Sequence, residues 1–457
     1  MPAPAPRSRP PRRLRACALV LGLVAACCTA ARADTLLQDF ARAQQHAPAL
    51  RGARDAYAAA LQRVPAARAR LLPQVQASAG IGDNLHDETG NPLLRMFGLA
   101  DHWNFLQRDV GISATQSLYA PGDDIAVTQA RIGAEIAYVQ LARADQQLML
   151  QVAQAYFDLL AAGDTVRSLE HEQQATRRQL DAARAQFAAG NGTIINVRDA
   201  QARQDLLVAR LIAARNQQQV AHDALRTLVG GSIGSPAPLL AQARLPSPTG
   251  DAGQWAQRAA RDNLEVTQAR LALRIARWQL RRADSDSLPT VQAYARVDRL
   301  STSGGGPSFP FGDRVDSASV GVRMQWPLFT GFGLRSQRRE SAALLDKAQD
   351  DLDAARDAAT LQARSALAGW TAACARAQAL QSALLSGRSA LQANRTGFEV
   401  GLRVSTDVLN SLAQLADTER EERQARYDQL MQSLRLRFAA GRLDERDLAE
   451  VDALLRQ

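Results

Sequence analysis

Ala318-Ser319-Val320-Gly321-Val322-Arg323-Met324-Gln325-Trp326-Pro327-Leu328-Phe329 alternates at period two and has a counterpart earlier in the chain. Ala318, Val320, Val322, Met324, Trp326 and Leu328 point one way, with Ser319, Gly321, Arg323 and Gln325 opposite. One apolar and one polar face at period two is the mark of a β-strand. The counterpart runs from Val110-Gly111-Ile112 to Leu118-Tyr119, matching Val320-Gly321-Val322 to Leu328-Phe329 at an offset of 210. Two further matches flank it in the same order. Leu72-Pro73-Gln74-Val75-Gln76-Ala77 recurs as Leu288-Pro289-Thr290-Val291-Gln292-Ala293, and Phe187-Ala188-Ala189-Gly190 as Phe398-Glu399-Val400-Gly401. The chain is therefore read as an internal two-fold repeat. Each half runs helix, strand, loop, strand, very long helix, glycine-containing turn, helix. The halves span residues 34–229 and 254–457, and the Gly/Ser/Pro-rich residues 230–253 link them.

Alternation by itself fits a soluble antiparallel sheet with one wet face as well as a membrane barrel. Context favours the barrel: an export signal, only four strands in this length, and long hairpin tips around 83–103 and 298–316. After Asp34 no stretch of 18 residues is both apolar and uncharged, so a membrane crossing has to be made by strands. Four strands cannot close on themselves, since the smallest barrels of this kind need about eight, so several chains must pool theirs.

The segments 121–189 and 333–399 contain no proline after their first residue. At about 1.5 Å per residue, a helix of that length reaches on the order of 100 Å. Ile125, Ile132, Ile136 and Val139, then Leu148, Val152, Leu159, Val166 and Leu169, fall at spacings of three, four and seven. Any amphipathic helix shares that pattern, but the length points to coiled-coil packing. The composition agrees, with 46% apolar residues but only 5% aromatics, so alanine and leucine supply much of the apolar fraction.

Residues 1–33 read as a signal peptide, with arginines at 7, 9, 12, 13 and 15 followed by an apolar run from Ala16 to Ala31. Ala31-Arg32-Ala33 before Asp34 fits ordinary cleavage, and Val24-Ala25-Ala26-Cys27 imitates a lipoprotein box. The first is preferred because helical patterning begins directly after Asp34. The segment carries six of the 55 basic residues and no acids, leaving 49 against 46. A mature charge near +3 is no argument for nucleic acid. Cys17, Cys27 and Cys28 also lie there, so only Cys374 remains and no intrachain disulfide is possible.

With these features assembled, the chain resembles the TolC family of outer-membrane channels from Asp34 onward. The likeness is carried by Ala47-Pro48-Ala49-Leu50, the two Leu-Pro strand openings, Ser117-Leu118-Tyr119 with Pro327-Leu328-Phe329, and Val400-Gly401-Leu402-Arg403 followed by Asp407-Val408-Leu409. The resemblance implies an α+β membrane protein: long coiled-coil helices forming an α-barrel, plus four transmembrane strands per protomer in a homotrimeric 12-stranded barrel. It implies a duct set in outer-membrane lipid that extends into the periplasm. Its partners would be a periplasmic adaptor and an inner-membrane ABC transporter or proton-driven pump. No cofactor, metal or nucleic acid is implied.

By the same resemblance, Asp407 belongs to a carboxylate ring at the narrow periplasmic entrance, with Arg403 beside it. Asn410 stands where a second acid is often found, Asn196 where the first repeat can carry an aspartate, and Phe398 in place of a tyrosine. A gate with fewer charged links is expected, assisted by Asp199, with Asn410 still able to accept a hydrogen bond from Arg403. From position alone, an acid in a first helical turn is also an ordinary dipole partner. Gly190, Gly401 and Leu402 mark tips that dock the adaptor, and the glycines serve equally well as helix C-caps.

Trp103, Phe105, Phe309 and Phe311 form either an interfacial girdle, which is preferred, or a loose outer cap. His86, Asp87, Glu88 and His102 imitate a metal site, but their irregular spacing reads as a solvated loop. No nucleophile elbow, phosphate loop, zincin helix or dinucleotide fingerprint is present, so nothing nominates an enzyme. A periplasmic coiled-coil scaffold explains the helices and the signal but not the duplicated strands. Within the duct reading, type I protein secretion is preferred to small-molecule efflux.

Overall fold

A computed structural model describes residues 35–87, 92, 96, 102–240, 242–303 and 313–455. The signal segment 1–33, Glu88, Phe309 and Phe311 lie outside the described residues, as do the side chains of His86, His102 and Trp103. The first half contains α1 (Leu36–His46), α2 (Pro48–Ala69), β1 (Gln74–Asp87), β2 (His102–Tyr119), α3 (Pro121–Ala188) and α4 (Ile194–Val229). The second contains α5 (Ala252–Asp262), α6 (Leu264–Ser285), β3 (Thr290–Ser303), β4 (Asp313–Gln325), α7 (Gly333–Glu399) and α8 (Ser405–Ala439), followed by α9 (Glu445–Ala453).

Each half opens on two helices rather than the single one expected. Pro48 has no N–H and forces the residue before it out of helical geometry, so Ala47 turns extended at φ −60°, ψ 117° and α2 restarts with proline in its first turn. In the second half Asn263 makes the same break without proline. Its side-chain oxygen accepts from the Glu265 N–H at 2.8 Å, and its amide donates to the Ala439 carbonyl at 2.8 Å. Helix α9 was not expected either. It starts on an Asp444/Asp447 capping box and buries Leu448 and Val451.

The four strands form one antiparallel sheet in the order β1-β2-β3-β4, leaving β1 and β4 as its edges. They run 13 to 18 residues, longer than the ten or so expected. The register aligns Val75, Ala114, Ala295 and Val320 in one row, and Ala77, Ile112, Val297 and Ala318 in the next row on that face. Val320 is 85% exposed, and Val75, Ile112, Val297, Val322 and Met324 are exposed as well. The other face carries Asp109, Arg296, Asp298, Tyr294 and Arg323, with the Arg323 guanidinium 5.2 Å from the Tyr294 ring centre.

Of the four aromatics read as a girdle, the register bears on Phe105. Phe105 lies on the polar face with Asp109. Exposed aromatics at the end of the sheet nearest the helices include Tyr119, Trp326, Phe329 and Phe332. Trp326 donates its indole N–H to the Ser287 carbonyl at 3.2 Å.

Helices α3 and α7, of 68 and 67 residues, run away from the sheet. At about 1.5 Å per residue, each spans roughly 100 Å. The largest apolar cluster lies part-way along them, where α1, α3, α4, α8 and α9 meet around Phe40, Tyr156, Phe157, Leu225, Leu430 and Leu448. The segment between the halves is packed onto the helices. Ala237 is buried, its carbonyl accepts from the Tyr156 hydroxyl at 3.2 Å, and the Pro246 and Leu240 carbonyls accept from Gln429 and Arg426. Among the described residues no helix is long and apolar enough to cross a membrane.

Candidate functional site

The ends of α3 and α7 farthest from the sheet close in the same backbone motif. Gly190 and Gly401 both take φ 78°. The Gly190 N–H bonds the Phe187 carbonyl and the Asn191 N–H the Gln186 carbonyl. The Gly401 N–H bonds the Phe398 carbonyl and the Leu402 N–H the Gly397 carbonyl. These paired bonds are Schellman caps, so both glycines do serve as C-caps. Helix α4 then starts on Thr193, whose hydroxyl accepts from the Asn196 N–H at 3.4 Å. That places Asn196 in the first turn of α4 through its backbone.

Arg403, in the turn before α8, and Asp407, in its first turn, are brought together, with a guanidinium nitrogen 3.5 Å from the carboxylate. Asn410 does not accept from Arg403. It accepts from Arg203 of α4 at 2.5 Å, a link between the two halves. A second such link runs from the Gln179 amide on α3 to the Ser405 hydroxyl at 2.7 Å. Leu409 fills the space between them, packing on Leu180 and Ala200. Asp199 is half-buried beside Ala200 and is not joined to Arg403. Phe398 is half-buried, and its carbonyl serves the turn.

Sequence reasoning missed Arg203, Gln179, Ser405 and Gly397. Gly397 accepts from the Leu402 and Arg403 N–H groups, and a Cβ there would sit 2.8 Å from the Arg403 Cγ. The Arg403 side chain is thus laid along the end of α7. Leu402 is 82% exposed, and Val400, Val404, Ile194 and Ile195 surround the tips as further exposed apolar side chains.

Nearer the apolar cluster, α3 and α8 share a charged seam whose buried members include Asp164, Ser168 and Glu172. Arg420 donates to Ser168 at 3.1 Å and to Glu172 at 3.4 Å, and it also pairs with Asp417. Tyr427 donates to Asp164 at 2.7 Å, and Arg167 and Arg423 face the same carboxylate. Burial, with Asp164 alongside, holds the Tyr427 phenol well above its ordinary value. Burial likewise raises the Glu172 carboxyl despite Arg420. Among the described residues no group of His, Cys, Asp and Glu side chains is placed to hold a metal.

A sheet with one exposed apolar face, set on helices of this length, is the architecture of a known channel family, and the comparisons agree. The family described as Outer membrane efflux protein matches residues 40–231 and again 255–442. The chain belongs to this family. Outer membrane protein TolC of Vibrio cholerae is similar to it at 29% identity over 425 residues, covering 93% of this chain and 94% of the relative. The alkaline protease secretion protein AprF of Pseudomonas aeruginosa is 31% identical over 312 residues, 67% of this chain and 64% of AprF. The Campylobacter jejuni CmeC outer membrane channel superposes with a TM-score of 0.76 at 14% identity, covering 92% of this chain and 90% of that one, which shows the shared fold. Membership places the chain among outer-membrane channels that serve efflux and secretion, a family of ducts and not of enzymes.

Proposed function

We propose that three copies of this chain form an exit duct, their strands closing a 12-stranded barrel and their helices a tunnel through the periplasm. The observation that carries this reading is the sheet. It has two unpaired edges and an exposed apolar face. One copy leaves both uncovered, while three copies in lipid satisfy the edges and bury the face. In this reading the halves 34–229 and 254–457 are structural repeats, and the tip turns are the periplasmic entrance.

Asp407 then stands in a threefold ring that attracts cations. Arg403 beside it, together with the Arg203–Asn410 and Gln179–Ser405 links, holds the entrance shut at rest. The exposed apolar tips around Gly190, Gly401 and Leu402 offer the adaptor its contact. Likeness to a protease secretion protein supports type I secretion with an ABC transporter. The name of the matching family supports the second reading, small-molecule efflux with a proton-driven pump. In both the duct conducts cargo and its partners supply the energy.

Planar-bilayer conductance of the purified mature protein, with its mass in detergent checked beforehand, tests this. A trimer with small cation-selective channels is expected, and Asp407→Asn lowers the selectivity and the block by multivalent cations. Arg403→Ala raises open probability. A water-soluble monomer without conductance refutes the duct, and a conducting trimer indifferent to both substitutions refutes the gate.

A further inference from the structure

The apolar face of the sheet does not stay apolar to its outer end. From the helix side upward it presents Met324, Val322, Val320 and Ala318 on β4, with Val297 on β3 and Ile112 on β2 alongside. The next two rows change character. One pairs Asp316 with Arg299 beside Val110, and the row beyond aligns Arg314, Ser301 and Arg108, with the exposed Ile81 of β1 at its edge.

Arg314 lies ten positions from Met324 on β4. At about 3.4 Å per residue that is roughly 34 Å along the strand. With strands tilted about 40° it becomes roughly 26 Å along the membrane normal, against an apolar band about 25 Å tall. The arginine row therefore falls at the margin of the band farthest from the helices, level with headgroups and not with acyl chains.

Asp316 is already satisfied, because the Arg299 guanidinium grips both its oxygens at 2.5 and 2.9 Å. Among the described residues neither Arg108 nor Arg314 forms a close ion pair, although Arg314 adds to the field that holds Asp316 ionised, and both are exposed. The other acid on this face near that level is Asp83, one row farther out on β1. Arg108 and Arg314 flank the strand that carries Ser301, so their backbones stand about 10 Å apart, two strand spacings. Two guanidinium forks and a hydroxyl in one row of one face supply the donors that a phosphate site needs.

We propose that Arg108, Arg314 and Ser301, backed by Arg299, bind the phosphate of an outer-leaflet lipid headgroup whose acyl chains lie along Val110, Ile112 and Val297. This rests on the sheet being lipid-facing in the trimeric duct. The occupant is a phosphorylated lipid, and not a soluble anion, because the site is continuous with the exposed apolar surface below it.

The test is native mass spectrometry of the purified full-length mature protein with bis-phosphorylated lipid A and with its dephosphorylated form. The wild type should retain the phosphorylated lipid at least ten-fold better. Arg108→Gln with Arg314→Gln should remove that preference while the mass of the assembly is unchanged. A wild type that holds both lipids equally overturns the site whether or not the variant assembles. So does a variant that keeps the preference, or displacement of the lipid by excess inorganic phosphate. Bilayer conductance on the same preparation separates the two readings. A conducting trimer without lipid preference overturns the site alone, and a non-conducting soluble monomer overturns the duct beneath it.

Discussion

Gly190 and Gly401 take the same left-handed backbone, and at both positions the space a Cβ would enter is empty. Only conformation demands glycine there. Gly401→Ala is expected to cost about 1–2 kcal/mol, the penalty of left-handed geometry for an L-residue. Hydrogen exchange in the last turn of α7 reads this as acceleration by roughly five- to thirty-fold. Gly401→Asn should cost much less, because asparagine tolerates that region. Equal effects of the two substitutions would show that something other than backbone geometry holds the turn. Gly397 is a different case, since its bare Cα lets the Arg403 stem lie against the helix end. The glycines of the tip were visible in the sequence; the reason for this one was not.

Helices α3 and α8 are joined by charge as well as by apolar packing. Glu172 is 5% exposed, and its carboxyl is raised above the ordinary value of 4.5 because burial outweighs Arg420. The folded state then holds that proton more tightly than the unfolded chain does. Its contribution is therefore most favourable below the unfolded value and is lost as pH rises through the raised folded value. Glu172→Gln keeps an acceptor for Arg420 and cannot ionise. It should melt higher than the wild type at pH 7, with the gap closing as pH falls toward 4.5. Thermal melts of the detergent-solubilised protein across that window check it, and a gap that widens on acidification contradicts the assignment. The same helices explain why the tips sit together: Gln179–Ser405 and Arg203–Asn410 tie one hairpin to the other, leaving Arg403–Asp407 as a link within a single helix end.

For the whole molecule, the two faces of the sheet make opposite demands although a single protomer exposes both. Val320 is 85% exposed and Ser319 beside it is exposed too, so a soluble sheet would accept arginine at either. In a lipid-facing barrel they differ. Val320→Arg should cost about 2–4 kcal/mol near the middle of the bilayer, whereas an arginine on the lumen side costs little. Loss of heat-stable trimers in Val320→Arg, with retention in Ser319→Arg, is the expected outcome on semi-native gels. Equal tolerance would place the sheet in water and undo both the duct and the lipid site.

Much of this was legible in the residues themselves, because it depends on neighbours in sequence. Period-two alternation set the faces of β4 and its counterpart β2, and unbroken helical pattern set the reach of α3 and α7. The doubled Phe-x-x-Gly placed both tips, and Ala47-Pro48 carried a break that was there to be read. What the tertiary structure decided are contacts between residues far apart in the chain. Asn410 faces Arg203 and not Arg403, Tyr427 meets a carboxylate on another helix, and the segment after Gly230 is packed down as a strap. The register of four strands also sets Arg108, Ser301 and Arg314 in one row. A periodicity tells which way a side chain points along its own element. Which partner it finds there depends on how distant elements pack, and that is set by the whole fold at once.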